Sequence, residues 1–162
     1  MELLIIRHAI AEEPVTDDAA RRLTDEGRKR MRRAAKRLPA LLPAIDLLAT
    51  SPLIRAVETA EIVAAAYGGI AVVEAPALAP GQPPEALAQW LASRRVTGVV
   101  CVVGHEPGLN VTAGWLLAGT PRALLDLKKG AACLLNCPDG AQPGAATLRW
   151  SLTPAQLRAL RL

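Results

Sequence analysis

The chain has 162 residues, 51% of them hydrophobic and only 2% aromatic, with no Phe and a formal net charge of +4 at pH 7. That length fits one domain able to bury roughly 70% of its unfolded surface without a disulfide or metal staple, and the hydrophobic content excludes a disordered chain. The scarcity of aromatics argues against a base-stacking nucleic-acid platform, no apolar run reaches the ~18–20 residues of a membrane helix, and the apolar opening at residues 3–6 has no basic segment before it, as a secretory signal would.

In chain order, the continuous apolar run over 3–6 predicts a buried strand, of the kind found in a parallel sheet covered on both faces. A polar loop follows over 7–23. Thr24 is placed as an N-cap, and a helix runs from it to about Leu42, irregular near Pro39 and Pro43. This helix carries the charge excess. Nine of the 19 Lys and Arg residues fall within 21–37, against two acids, Asp25 and Glu26. Met31, Ala34, Ala35, Leu38, Leu41 and Leu42 recur between them at helical spacing, so the segment reads as an amphipathic helix with a solvated basic face. A docking surface for an acidic protein is the next reading, and nucleic-acid binding a weaker third.

Residues 47–49 predict a second strand. Ser51 is placed as a cap with Pro52 at the first helical position, where its missing N–H costs nothing. That helix continues to about Tyr67 and stops at Gly68-Gly69. Residues 71–73 predict a third strand, and a Pro-rich loop over 76–84 leads to a helix through Arg94. The run 99–103 is the clearest strand of the chain. A loop over 104–110 and a short helix through Leu117 follow. Residues 131–135 and 147–152 predict two antiparallel strands, and 154–160 a closing helix. Alternating strands and helices imply an α/β fold, a single-domain three-layer α/β/α sandwich with a mostly parallel central sheet, spanning residues 1–162. The three Cys have no partners at zinc spacing and read as buried, inert thiols. The cytoplasm is the expected compartment.

Open parallel sheets bind ligands beyond the carboxyl ends of their strands. The first strand is followed at once by Arg7-His8, the second by Thr50-Ser51 with Arg55 a turn later, and the clearest strand by Gly104-His105-Glu106. The only two histidines of the chain therefore fall at strand ends, with two arginines able to reach the same edge. Each residue alone has a plainer reading: a surface charge, a structural imidazole, an ion pair of Arg55 with Glu58 or Glu61. Together, two cationic forks and two imidazoles describe a receptor for a tetrahedral dianion, a phosphate group, helped by the N-terminus of the following helix.

These residues sit in longer motifs. Arg7-His8-Ala9 resembles the Arg-His-Gly opening of the histidine phosphatase superfamily, also called phosphoglycerate mutase-like. The stretch from Asp18 through Arg21, Leu23 and Thr24 to Gly27 resembles the D-x-x-R-x-L-T-x-x-G segment of its small SixA-type members. Ser51, Arg55, Ala56 and Thr59 match the S-x-x-x-R-A-x-x-T helix start, and Gly104-His105-Glu106-Pro107-Gly108-Leu109 resembles the second-histidine motif. The resemblance covers nearly the whole chain. It implies a phosphoglycerate mutase-like fold and a phosphatase that works through a covalent phosphohistidine, with no metal and no organic cofactor. His8 would be the nucleophile. Arg7, Arg55 and His105 would hold the phosphoryl oxygens, His105 best as a cation or strong donor: a cation ~4 Å from an anionic oxygen gains roughly 4 kcal/mol at an effective dielectric of 20. The implied partner is a phosphorylated protein, a histidine phosphotransfer domain among the candidates, or a small phosphorylated metabolite, with no role for nucleic acid or membrane.

Asp18 and Arg22 are candidates to line the substrate pocket, or to pin the first loop as an ion pair. Two features depart from the pattern. Ala9 replaces the usual Gly, which is tolerable only at negative φ. The general acid has no clear counterpart; Glu106, or a loop carboxylate among Glu12, Glu13 and Asp18, is the candidate. A phosphorylated imidazole leaves as a neutral ring if already protonated, whereas an alkyl phosphate must expel an alkoxide, so a missing acid favours phosphoramidate substrates. The alternatives are a small-molecule phosphomonoesterase and a non-catalytic phosphate- or phosphoprotein-binding module.

Overall fold

The structure, a computed structural model, describes residues 1–14 and 16–161; Val15, inside the predicted first loop, and Leu162 at the chain end lie outside the described residues. Six strands form one sheet in the order β3-β2-β4-β1-β5-β6. They are β1 (Glu2–Arg7), β2 (Leu47–Thr50), β3 (Val72–Glu74), β4 (Val99–Gly104), β5 (Ala132–Asn136) and β6 (Thr147–Leu152). The first four are mutually parallel, and β5 and β6 are antiparallel to their neighbours. The expected mostly parallel sheet with a terminal antiparallel pair is what forms.

The apolar runs explain the layering. Side chains alternate across a strand with period two. Leu4 and Ile6 of β1 join Cys101 and Val103 of β4 on one face. Leu3 and Ile5 join Val100 and Val102 on the other. The first face is covered by α1 (Asp25–Ala35), α2 (Leu38–Leu41), α3 (Ile54–Ala66) and α6 (Pro154–Ala159), through residues such as Met31, Leu38, Val63 and Leu157. The second is covered by α4 (Pro84–Arg94) and α5 (Gly108–Ala118), through Leu87, Leu91, Leu109 and Leu116. A strand buried on both sides has no polar face, which is why β1 and β4 read as unbroken apolar segments. Among the described residues, no helix is long and apolar enough to cross a membrane.

Several boundaries differ from the sequence reading, among them the start of α5 at Gly108, inside the expected 104–110 loop. The predicted long first helix is two pieces, because the chain turns at Lys36–Arg37 before Pro39 enters the first turn of α2. Thr24 caps α1 as expected, its hydroxyl accepting from the Gly27 N–H at 2.9 Å. Ser51 does not cap a helix starting at Pro52: α3 starts at Ile54, and the Ser51 side chain turns toward the sheet edge. All three cysteines are free and buried, and burial raises the thiol pKa of each, that of Cys133 to about 12.

The segment after β1 is held tightly against α1. The Ile10 carbonyl accepts from the Thr24 N–H at 3.0 Å, and a Cβ at Gly27 would overlap that same carbonyl oxygen. Gly27→Ala is therefore expected to push the residue 9–10 segment off α1 and lower stability by about 1–3 kcal/mol, read as a reduced midpoint in urea unfolding at unchanged slope.

Candidate active site

The register of three adjacent parallel strands builds the site. Arg7 pairs with Gly104 across β1 and β4, and Thr50 pairs with Val103 across β2 and β4. The residues that follow are thereby side by side. His8 N–H donates to the Gly104 carbonyl at 3.0 Å, and Ser51 N–H to the Val103 carbonyl at 2.9 Å. Adjacent strands lie about 4.8 Å apart, and the His8 and His105 rings sit at that scale, 5.2 Å between centroids and tilted by 52°. His8, Ser51, Arg55 and His105 are all buried.

The His8 ring has a defined tautomer. Nδ1 lies 2.7 Å from the Ala9 carbonyl oxygen. A carbonyl only accepts, so Nδ1 carries the hydrogen and Nε2 keeps its lone pair. Burial pushes the His8 pKa down to about 4; the Ala9 bond, the next-largest effect, opposes it, and the charges of Arg55, Arg7 and Lys129 add to the lowering. The Ala9 N–H donates to Thr59 Oγ1 at 3.0 Å, and the Thr59 hydroxyl donates to the Arg55 carbonyl at 2.7 Å. Thr59 thus ties the residue after the histidine to the helix that carries Arg55. Ala9 fits without strain: among the described residues only Arg95 is a non-glycine at positive φ.

His105 Nε2 lies 2.7 Å from Ser51 Oγ. The same oxygen accepts from the Leu53 N–H at 3.3 Å; with the hydroxyl proton placed on Nε2, Nδ1–H of His105 is a donor. Burial, then the charges of His8 and Arg55, pushes the His105 pKa down to about 3. Without a bound anion His105 is neutral; the cation expected from the sequence concerned a phosphate-bound state.

The arginines come from two directions. Arg7 Nη1 donates to the Leu127 carbonyl at 2.9 Å. Arg55 donates to Asp18 twice, from Nη1 to the backbone carbonyl at 2.8 Å and from Nη2 to Oδ2 at 3.1 Å. Arg7 Nε, Arg55 Nε and His105 Nδ1 are buried nitrogens without a hydrogen-bond partner. A buried donor left unpaired costs about 1–3 kcal/mol, so three beside one imidazole lone pair form a receptor that a tetrahedral anion would satisfy.

The remaining candidates divide. Asp18 is at the site, but its partner is Arg21, at 3.0 Å, rather than Arg22. The Arg21 hydrogen bond holds the Asp18 carboxyl below the usual range, which suits it to gripping Arg55 and not to donating a proton. Arg22 is exposed and points to Glu58 at 3.9 Å, on the α1–α3 side; the structure does not bring it to the reacting edge. Glu106 stands next to His105, with Oε1 accepting from the Asn110 N–H at 3.0 Å and Oε2 from Asn110 Nδ2 at 3.2 Å. Asn110 also holds the chain at Leu124 and Leu125, through their N–H groups at 3.0 and 2.9 Å. Glu12 and Glu13 are exposed. The sequence reading gave Thr59 and Arg21 as motif letters without tasks and Ser51 as a helix cap, and missed Lys129 as a neighbour of the site.

The sequence profile of the histidine phosphatase superfamily (branch 1) matches residues 3–79. An uncharacterised protein of Picosynechococcus is 36% identical over 133 residues, which cover 80% of this chain and 81% of that one. This chain belongs to the histidine phosphatase superfamily. Two solved structures agree. The protein histidine phosphatase SixA, complexed with tungstate, superposes with a TM-score of 0.84 at 24% identity, covering 97% of this chain and 99% of that one. A putative phosphohistidine phosphatase SixA from Nakamurella multipartitia gives 0.77 at 26% identity, covering 93% and 94%. The fold of this chain is thus phosphoglycerate mutase-like, as its motifs imply.

Both imidazoles have depressed pKa values, so the unfolded chain binds more protons than the folded one from about pH 6.5 down to about pH 4 for His8 and about pH 3 for His105. Their contribution to stability is complete above pH 6.5 and is lost as pH falls through that window. Nitrogen-15 NMR of the histidine rings is expected to show both neutral at pH 5.5 without phosphate, with His8 as the Nδ1–H tautomer; an ordinary titration near pH 6.5 for either would refute this.

Proposed function

We propose that the protein removes the phosphoryl group from phosphohistidine displayed on another protein, through a covalent intermediate on His8. The observation that carries this reading is the His8 ring itself. It is neutral, its Nδ1 proton is committed to Ala9, and its Nε2 lone pair stands among cations. Phosphoryl transfer is mainly positioning and stabilisation of charge on the equatorial oxygens, which Arg7, Arg55 and His105 supply in this reading. The Nε2 pair forms the new N–P bond as the substrate P–N bond breaks. The departing imidazole takes that bond's electrons and leaves neutral, because its ring already carries a proton. The Nδ1–H···O=C bond to Ala9 supports the positive charge that phosphorylation puts on the His8 ring. Water then attacks phosphorus, His8 Nε2 recovers its pair, and the water proton goes to the phosphate.

The carboxylates favour a phosphoramidate over an ester. Asp18 is held ionised by arginine, and both Glu106 oxygens are engaged by Asn110. An alkoxide leaving group would lack a ready proton, whereas a protonated imidazole needs none. A small-molecule phosphomonoesterase is the alternative, and a larger kcat/KM for sugar or nucleotide esters than for phosphohistidine protein would establish it. Phosphate binding without turnover on any substrate would leave only a binding module.

The decisive experiment is rapid quench with phosphorus-labelled phosphoramidate and with a phosphohistidine protein. Label on the enzyme that is acid-labile, base-stable and absent from His8→Ala is expected. Unlabelled enzyme that still releases phosphate would remove the covalent step. Glu106→Gln is expected to leave phosphohistidine kcat/KM within about threefold, since a proton donor worth the name contributes 10²–10⁴-fold, roughly; a loss of that size would make Glu106 the acid.

A further inference from the structure

A second concavity, of about 500 Å³, adjoins the reaction centre between α1, the start of α6 and the turn at residues 128–130. It meets the centre at Arg7 and Ala9, the residues on either side of His8. Its walls carry Arg7, Arg30, Lys128, Lys129 and Arg158, and no Asp or Glu lines it. Arg30 is paired with Glu26, Nε to Oε1 at 2.5 Å. Among the described residues the other four make no ion pair within 4.0 Å. Arg33, one turn along α1 from Arg30, is also exposed. The floor is apolar: Ile10, Met31, Ala34, Pro154 and Ala155.

This pattern differs from the reaction centre. There the cation Arg55 is buried and its hydrogen bonds are specified. In the groove Arg30, Lys128 and Lys129 are exposed and Arg158 is half-buried. A small multiply charged metabolite is best held by desolvated, converging donors. An apolar floor with a charged, wet rim is instead the anatomy of a protein–protein contact, and rim charges of one sign select partners of the other and speed their encounter. We propose that this groove docks the acidic, partly apolar segment that flanks the phosphorylated histidine of a protein substrate. The proposal rests on the phosphohistidine-protein reading above, and names what that protein presents: carboxylates beside the target histidine.

The test uses two fluorescent peptides with a central histidine, one flanked by Glu and Leu and the other with each Glu replaced by Gln. Fluorescence anisotropy is measured on the wild-type protein and on Lys128→Glu/Arg158→Glu, with Lys128→Glu alone as the second variant should the double one unfold early. The acidic peptide is expected to bind wild type at least tenfold more tightly than its Gln counterpart. The difference should vanish in the variant and at 0.5 M salt. With both peptides phosphorylated on histidine, kcat/KM for the acidic one should fall about tenfold in the variant through KM, while turnover of phosphohistidine as the free amino acid stays unchanged. Equal affinity for the two peptides overturns the proposal, as does an acidic preference that survives charge reversal. Equally tight binding of an oligothymidylate of the same charge overturns it too, because the groove would then be a general polyanion sink. Selective peptide binding without turnover of any phosphohistidine substrate would refute the catalytic reading and leave the docking groove standing.

Discussion

The register between β1 and β4 is the constraint on which the rest depends. Arg7 is locked opposite Gly104, and from that single pairing the two histidines emerge as neighbours at one sheet edge. Parallel strands have no turn between them to fix their alignment. Here it is set by the burial of Leu3 to Ile6 and Val100 to Val103 on alternating faces. A slip of one residue would turn each of those side chains to the opposite layer and carry His105 away from His8. The same apolar packing that stabilises the molecule therefore also sets the two histidines side by side.

Charge at this edge is balanced from a distance. Two guanidiniums and two buried imidazoles would repel one another if all were protonated, and the structure avoids that by keeping both rings neutral. Asp18 supplies the compensating carboxylate from an exposed turn, and Arg21 keeps it ionised. One arginine fork is thus oriented by the chain itself, and its conformational freedom is already spent. Such pre-organisation is what makes fixed dipoles and charges effective toward a transition state.

Much of this was legible in the sequence, for identifiable reasons. Buried parallel strands must be apolar on both faces, so β1 and β4 announce themselves, and polar residues directly after them fall at the reacting edge. The motif spacing then assembles Arg7, His8, Arg55 and His105. What escaped reading depends on local geometry that no spacing encodes. Whether Arg21 or Arg22 faces Asp18 is decided by a single turn of 3₁₀ helix at Asp18–Ala20. Ser51 looked like a helix cap because Ser-Pro pairs often are, yet α3 begins later and its hydroxyl serves His105. Lys128 and Lys129 lie some 120 residues from Arg7 in the chain, and are held beside it by the Gly130 N–H shared between the Arg7 and His8 carbonyls at 3.1 Å each and by the Arg7 bonds to the Leu127 and Ala131 carbonyls. The basic helix was read correctly as amphipathic, but its proximity to the reaction centre is a tertiary fact.

The order of the sheet leaves two strands with one unpaired side, β3 and β6. Open strand edges are templates for self-association into fibrils and aggregates. Both are blunted in this molecule. β3 is three residues long and ends at Glu74, with Pro76 just beyond. β6 carries an exposed Arg149, and Pro154 follows two residues after its end. Neither border of the sheet therefore offers a long, uncharged strand as a template for a second molecule.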